Sequence, residues 1–260
     1  MAQPPSQSGI DAEFWDVPAI RDVVKILFDV EYRSDSSYQL LLRFCGMSFK
    51  RPDPFDEHRD EQAITRRMAE VKAQVKDLLD AGWEVYAADE VRLEHEAETR
   101  RMWLPKGQRT KLSVDRQKTS QSFFGALSLT SKKVKLYPVE GNQNTEQTIL
   151  ALDRLQRETR EEKIAVVPGG ARFHHAKTLT GLHEPGQLLE RITPIHLPPY
   201  APDHNPVEHV WNTAKNNIAN IQRETPEETF GAFASYITGR TFDHDLEHPP
   251  PRETENDLVS

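Results

Sequence analysis

After residue 83 the sequence shows several strand-like segments first and alternating helix-like and strand-like segments later. The first strand patterns are WEVYAADE, RRMWLPKGQ, KLSVDRQ, QSFFGALSL and KVKLYPVEG, and their spacing predicts antiparallel hairpins. Helical and strand patterns then alternate as far as about residue 240. Antiparallel strands followed by alternating helix and strand predict an α/β fold with a mixed sheet flanked by helices.

The alternating segments have recognisable boundaries. A helix begins at Asn144 or Thr145, either of which can cap it. A short buried strand in KIAVV, a helix in HHAKTLTGL and a strand in RITPIHL follow. Asn205 and Pro206 start the next helix, and PEETFGAFASYITGR forms the last one.

The N-terminal part is predicted to be helical. Pro18 suits the first turn of a helix over residues 17–28. Ser34 or Asp35 can cap a second helix, which Gly46 can end. With the extended and basic MSFKRP behind them, the two helices resemble a helix-turn-helix with a wing, although a plain α-hairpin has the same pattern.

Changes in composition divide the chain into five predicted regions. They are a flexible leader (1–12), a partial winged helix-turn-helix (13–55), a linker and helix (56–82), the α/β domain (83–240) and a disordered acidic tail (241–260).

Charge and cysteine content limit the possible functions. The formal net charge is −8, so contact with nucleic acid has to come from local basic patches rather than from the overall field. The single cysteine, Cys45, cannot form an internal disulfide, and no apolar run reaches the length of a membrane span. These features predict a soluble cytoplasmic protein with no membrane partner.

Asp89 is the first candidate for chemistry. Strand alternation places Val85, Ala87 and Asp89 on one face of the strand. Reactive groups in open α/β sheets gather at strand ends. An Asp-Glu pair after a strand is also common as an ordinary solvated turn, so the pair alone leaves both interpretations open.

Glu208 is the second candidate and lies in PPYAPDHNPVEHVW, residues 198–211. Asn205 as cap and Pro206 at the first helical position make Glu208 the third residue of the helix, where a capping box explains it without catalysis. The density of tyrosine, proline, aspartate, asparagine and tryptophan in this segment exceeds what capping requires.

PPYAPDHNPVEHVW resembles the C-terminal signature of mariner-related bacterial insertion-sequence transposases, with Ala201 for serine and His204 for leucine. VYAADE, MWLPKGQ and FFGALSL resemble further family segments in the same order, and the resemblance covers roughly residues 14–240. It implies a ribonuclease-H-like catalytic domain of the DDE type, preceded by the winged DNA-binding module of such proteins.

In this family two aspartates and a third acid hold two divalent metal ions, Mg²⁺ or Mn²⁺, which activate water or a DNA 3′-hydroxyl for displacement at phosphorus. Carried over by position, Asp89 is the first catalytic acid and metal ligand, and Glu208 is the third. The second falls on Gly169 in VVPGGARFHHAK, where the family has Asp-Asn.

Because glycine supplies no oxygen ligand, the resemblance predicts a transposase with impaired or lost catalysis. A non-cleaving DNA-binding relic or regulator of a full-length transposase is the alternative. An unrelated nuclease or hydrolase of similar fold is a third interpretation.

The resemblance also implies double-stranded DNA, the terminal repeats of the element, as the partner of a homodimer, and hence association with the nucleoid. The predicted DNA contacts lie on the second helix, in the wing and in the tryptophan hairpin; an ordinary solvated surface is the alternative at each. They are Ser36, Ser37, Gln39, Arg43, Lys50, Arg51, Trp103, Lys106 and Arg109.

Overall fold

The computed structural model describes residues 4–49, 59–104, 110–170 and 177–246. The described residues up to 49 belong to one compact unit, and those from 59 onward belong to a second. Four of the predicted DNA contacts lie outside the described residues, namely Lys50, Arg51, Lys106 and Arg109.

The first unit contains two helices, α1 (Val17–Phe28) and α2 (Asp35–Phe44), as the sequence predicts. α1 begins where the Asp16 carboxylate accepts a hydrogen bond from the Ala19 amide at 2.8 Å. This bond satisfies an N–H group that has no partner within the helix. The small core of the unit consists of the buried side chains of Ile20, Val24 and Tyr38.

The segment ahead of α1, which the sequence predicts to be a flexible leader, contains one helical turn in its described part. Pro5–Ser8 form a 3-10 helix, and Ile10 behind it is buried. One apolar side chain of this stretch is thus removed from water.

The second unit contains a mixed five-stranded sheet. Its elements are α3 (Glu61–Asp80), β1 (Glu84–Glu94), β2 (Ser120–Ser128), β3 (Val134–Val139), α4 (Thr145–Glu158), β4 (Ile164–Pro168), α5 (Lys177–Thr180), β5 (Ile192–Pro194), α6 (Pro206–Ile218) and α7 (Pro226–Thr238). The strand order is β3-β2-β1-β4-β5. β1, β2 and β3 pair antiparallel, whereas β4 pairs parallel with β1 and with β5. The predicted α/β fold with a mixed sheet is confirmed.

Strand alternation sorts the side chains of the central strand β1 into two covered layers. Tyr86 and Ala88 pack on the face that α4 covers. Val85 and Ala87 point to the opposite face and pack beneath α3. α6 and α7 extend this second layer, with Trp211 of α6 in its core. A strand buried on both sides holds its side chains in fixed directions, because a register slip would exchange the two layers.

Two predictions outside the sheet are wrong. The described residues of the β1–β2 connection, 95–104 and 110–119, form no strand, so RRMWLPKGQ and KLSVDRQ are not hairpin strands in their described parts. The tail predicted to be disordered packs on the second unit as far as residue 246. Thr241 forms a β-bridge with Lys133, and Phe242 and Leu246 are buried.

One side chain holds both ends of the β1–β2 connection. Gln222 Oε1 accepts hydrogen bonds from the amides of Ala97 and Asp115 at 3.0 and 3.1 Å. Gln222 Nε2 donates to the carbonyl of His95 at 3.3 Å, and the buried His95 ring contacts the Thr229 hydroxyl at 2.9 Å. These bonds satisfy backbone groups that have no strand partner in this irregular connection.

Among the residues that the structure describes, none of the helices has both the length and the apolar character that crossing a bilayer requires.

Gly125 of β2 lies under Trp211, and a Cβ atom at this position would be 2.1 Å from Cη2 of the indole ring. We expect Gly125→Ala to lower the free energy of unfolding by about 1–3 kcal/mol, because a buried aromatic ring has to move in a packed core. Urea denaturation followed by tryptophan fluorescence measures the change. Gly231→Ala in α7 is the matched control, since its Cβ would meet nothing within 4 Å. A similar loss in both variants would contradict this account.

Candidate active site

Asp89 lies at the point of the sheet where the neighbouring strand β4 ends. β1 pairs with β4 from Glu84 to Ala88, and one residue further on Asp89 is opposite Gly125 of β2. Alternation turns Asp89 to the face that α6 covers. The side chain therefore meets the residues that follow β4 and the first turn of α6.

The carbonyl of Ala88 joins these three segments. It accepts a hydrogen bond from the Gly169 amide at 2.9 Å, directly after β4. It accepts a second from Asn205 Nδ2 at 3.2 Å, at the start of α6. The predicted site positions Asp89, Gly169 and Glu208 are thus brought together by backbone geometry at a single acceptor.

Local sequence explains why α6 begins where it does. Asn205 is the N-cap, with its Oδ1 accepting from the Val207 amide at 3.4 Å, and Pro206 occupies the first helical position. The capping-box explanation of Glu208 fails, because the Asn205 amide donates to the Pro202 carbonyl at 2.9 Å instead. The Glu208 side chain is directed to Asp89.

The carboxylates of Asp89 and Glu208 are in hydrogen-bond contact. Burial, the nearby Glu208 charge and the adjacent Glu90 raise the pKa of Asp89 far above its usual range. The Glu90 amide, which donates to Asp89 Oδ1 at 2.9 Å, opposes this shift. Two carboxylates held together in this way require a shared proton or a cation between them.

Gly169 lies against the Asp89 carboxylate, with no room for a side chain unless that carboxylate moves. A Cβ atom at Gly169 would lie 2.4 Å from Asp89 Oδ1 and 2.6 Å from Oδ2, so any side chain there would displace the carboxylate. A Cβ at Gly170 would meet nothing within 4 Å. The first glycine of the pair is therefore a close-approach glycine, and the second is not.

The donor set fits a divalent cation only in part. The paired oxygens of Asp89 and Glu208 are the hard ligands that Mg²⁺ and Mn²⁺ prefer. Glu90 is turned to the other face, where it accepts from the Thr148 hydroxyl at 3.0 Å. Within the described parts of the chain, no group of three or more His, Cys, Asp or Glu side chains could hold a metal. Gly169, which lies next to Asp89, has no side-chain oxygen to add to those of Asp89 and Glu208.

The predicted DNA contacts on α2 face outward. Ser36, Gln39 and Arg43 are exposed, and Ser37 is half-buried. Gln39 and Arg43 also line an open cavity of about 680 Å³. Its aromatic lining consists of Phe14, Trp15 and Phe49. The face of α2 predicted to contact DNA is therefore partly apolar.

The predicted contact Trp103 is 98% exposed and lies in the β1–β2 connection. Its neighbours Met102 and Leu104 are also exposed. The structure brings none of these side chains to the carboxylate pair, and they form a separate surface feature of the second unit.

Sequence reasoning missed an ion pair beside the site. Arg59 Nη1 and Nη2 donate to the two carboxylate oxygens of Asp203 at 2.8 and 3.1 Å. The two residues are 144 positions apart in sequence, and no periodic pattern links them. Only the folded chain reveals the contact.

A mixed sheet in this order, with one acid on the central strand and another in the helix after the last strand, is the arrangement of the ribonuclease-H-like class of domains. The chain belongs to the DDE superfamily endonuclease family, whose model matches residues 84–229, more than half of its length. A winged helix-turn helix model matches residues 11–71. The interpretation of the N-terminal helices as a helix-turn-helix is therefore confirmed, and the alternative of a plain α-hairpin is not needed.

Solved structures with the same fold include a pre-cleavage Mos1 transpososome, with a TM-score of 0.56 and 13% identity over 87% of this chain and 72% of that chain. The Mos1 mariner paired end complex with Mn has a TM-score of 0.55 and 14% identity over 87% of this chain and 72% of that chain. Identity this low shows the fold alone, and it confirms the predicted ribonuclease-H-like architecture. Comparison with curated protein sequences gave no match.

In the presence of a chelator, Asp89→Asn is expected to stabilise the protein by on the order of 1 kcal/mol at neutral pH. The reason is that burial and the neighbouring Glu208 disfavour the charged form of Asp89. Since the pKa of Asp89 is raised on folding, its contribution to stability is fully present in acid and is lost as pH rises through the raised pKa. The difference in unfolding temperature between the variant and the natural protein should therefore widen as pH rises. Thermal unfolding at several pH values measures it, with the exposed Asp80→Asn as control; equal pH dependence of all three proteins would refute the argument.

Gly169→Asp is expected to unfold several degrees lower than the natural protein in chelator, because the new Cβ displaces the Asp89 carboxylate and adds a third acid. Mn²⁺ should then raise the unfolding temperature of the variant more than that of the natural protein, because a bound ion stabilises the folded state. Gly170→Asp is the matched control and should show neither effect, since its Cβ has free space. Thermal unfolding with and without Mn²⁺ gives the comparison; identical curves for the two variants would contradict the assignment of Gly169.

Proposed function

We propose that this protein is a mariner-related insertion-sequence transposase of the DDE type whose DNA cleavage and strand transfer are impaired because Gly169 replaces the second catalytic aspartate. The observation that supports the proposal most directly is the contact of the Asp89 and Glu208 carboxylates beside the backbone of Gly169. Membership of the DDE superfamily endonuclease family supports phosphoryl transfer as the reaction class.

Asp89 and Glu208 would hold Mg²⁺ or Mn²⁺ in this reaction. A divalent cation, when bound, supplies the positive charge that stabilises an in-line displacement at phosphorus. The chain's own contribution is to hold two carboxylates together, one on the rigid central strand and one on a helix that Asn205 ties to Ala88. With the third carboxylate missing, both ligand number and ligand charge fall, and affinity for the cation falls with them.

The proposed partner is double-stranded DNA carrying the terminal repeats of the element, bound by a homodimer at the nucleoid. Two solved structures of the same fold are described as a transpososome and as a transposase paired-end complex with the left transposon end. The winged helix-turn helix match supports DNA contact by the first unit. The proposed contacts are the predicted residues of α2, together with Lys50, Arg51, Trp103, Lys106 and Arg109.

A non-cleaving DNA-binding regulator is the second candidate function. The exposed polar side chains of α2, including Gln39 and Arg43, lie in the first unit. DNA binding by that unit does not require the carboxylate pair. A chain that binds terminal repeats without cutting them would compete with a full-length transposase.

Nicking of a supercoiled plasmid that carries the DNA flanking the coding sequence tests the proposal. With Mn²⁺ present, we expect Gly169→Asp to cut at least about 100-fold faster than the natural protein, because the variant regains the missing ligand. Gly170→Asp should show no gain. The rate of conversion to open-circular plasmid measures the effect.

Equal cutting by the natural protein and Gly169→Asp would show that another residue supplies the second ligand, and the proposed impairment would be wrong. Binding to the same DNA that weakens with salt, without nicking by any variant, would favour the regulator instead.

A further inference from the structure

Arg59 lies immediately before α3, and its side chain is only 9% exposed. Its Nη1 and Nη2 contact both oxygens of Asp203, and Nη1 also donates to the Tyr200 carbonyl at 2.9 Å. Nε donates to Glu61 at 2.7 Å. A planar guanidinium that makes bidentate hydrogen bonds to a carboxylate fixes the direction of its partner as well as the distance.

The loop that Arg59 holds leads to the candidate active site. It begins at Tyr200, whose φ of 59° lies in the left-handed region that residues other than glycine rarely adopt. It continues through the 3-10 turn Pro202–His204 to Asn205. An external contact that holds the Tyr200 carbonyl helps to keep this backbone in place.

Two anchors therefore fix the segment that carries Glu208. Arg59 holds its beginning at Tyr200 and Asp203, and Ala88 holds Asn205. Glu208 follows in the first turn of α6. Although burial opposes it, the hydrogen bonds and charge of Arg59 keep the pKa of Asp203 below its usual range, so the ion pair persists at neutral pH.

We propose that Arg59 is a positioning residue for Glu208, acting through Asp203 and the Tyr200 carbonyl to aim the start of α6 at Asp89. The inference rests on the proposed function, because the geometry it sets is that of the cation-binding carboxylates. Arg59 itself contacts neither Asp89 nor Glu208 in any hydrogen bond of the described residues.

The test uses the full chain carrying Gly169→Asp, with Mn²⁺ affinity measured from the paramagnetic resonance signal of the free ion. We expect Arg59→Gln to weaken Mn²⁺ affinity by about 10- to 100-fold, as loss of a partner behind a ligand does in metal sites. Asp203→Asn should have a similar effect, and the double variant should be no weaker than either single one, because both break the same contact.

Arg67→Gln is the matched control, since Arg67 lies in α3 but donates to the His196 carbonyl at 3.2 Å, before the loop begins at Tyr200. It should leave Mn²⁺ affinity unchanged. The urea midpoint is measured for every variant, and Arg59→Gln should lose affinity even where its midpoint equals that of Arg67→Gln.

Unchanged affinity in Arg59→Gln, or an equal loss in Arg67→Gln, overturns the positioning role. A Gly169→Asp chain that binds Mn²⁺ but cuts no DNA overturns the proposed function and leaves the comparison at Arg59 valid. A Gly169→Asp chain with no affinity for Mn²⁺ overturns both.

Discussion

The whole candidate site depends on one backbone oxygen, the carbonyl of Ala88. It accepts hydrogen bonds from the Gly169 amide and from the Asn205 side chain, so the central strand, the end of β4 and the start of α6 meet at one atom. Ala88 is only 1% exposed, and a buried carbonyl acceptor of this kind has to be satisfied within the protein. The relative placement of positions 89, 169 and 208 therefore follows from sheet and helix geometry and does not require an acid at all three.

This arrangement explains how the fold accommodates glycine at position 169. The space that a side chain there would need is taken by the Asp89 carboxylate, which pairs with Glu208. Trp211, three residues further along α6, fills the space above Gly125, which is opposite Asp89 in the sheet. The packing around the site is thus complete without a third carboxylate.

Sequence reasoning succeeded where short-range rules act. Strand alternation gave the correct face for Asp89, and the Asn205-Pro206 cap gave the start of α6 and hence the place of Glu208. It failed where contacts join distant residues. The strands expected between β1 and β2 do not form in the described residues, where the side chain of Gln222, more than a hundred positions away, binds the amides of Ala97 and Asp115. The Arg59–Asp203 pair had no local signal either, since neither residue belongs to a periodic pattern.

The close approach of Asp89 to Gly169 also bears on how such a chain can evolve. Some glycine codons become aspartate codons by a single base change, so a third acid is within easy mutational reach. The new side chain would nevertheless arrive in space that Asp89 already occupies. A Gly169→Asp change would therefore bring a new carboxylate and a steric conflict with Asp89 in the same step.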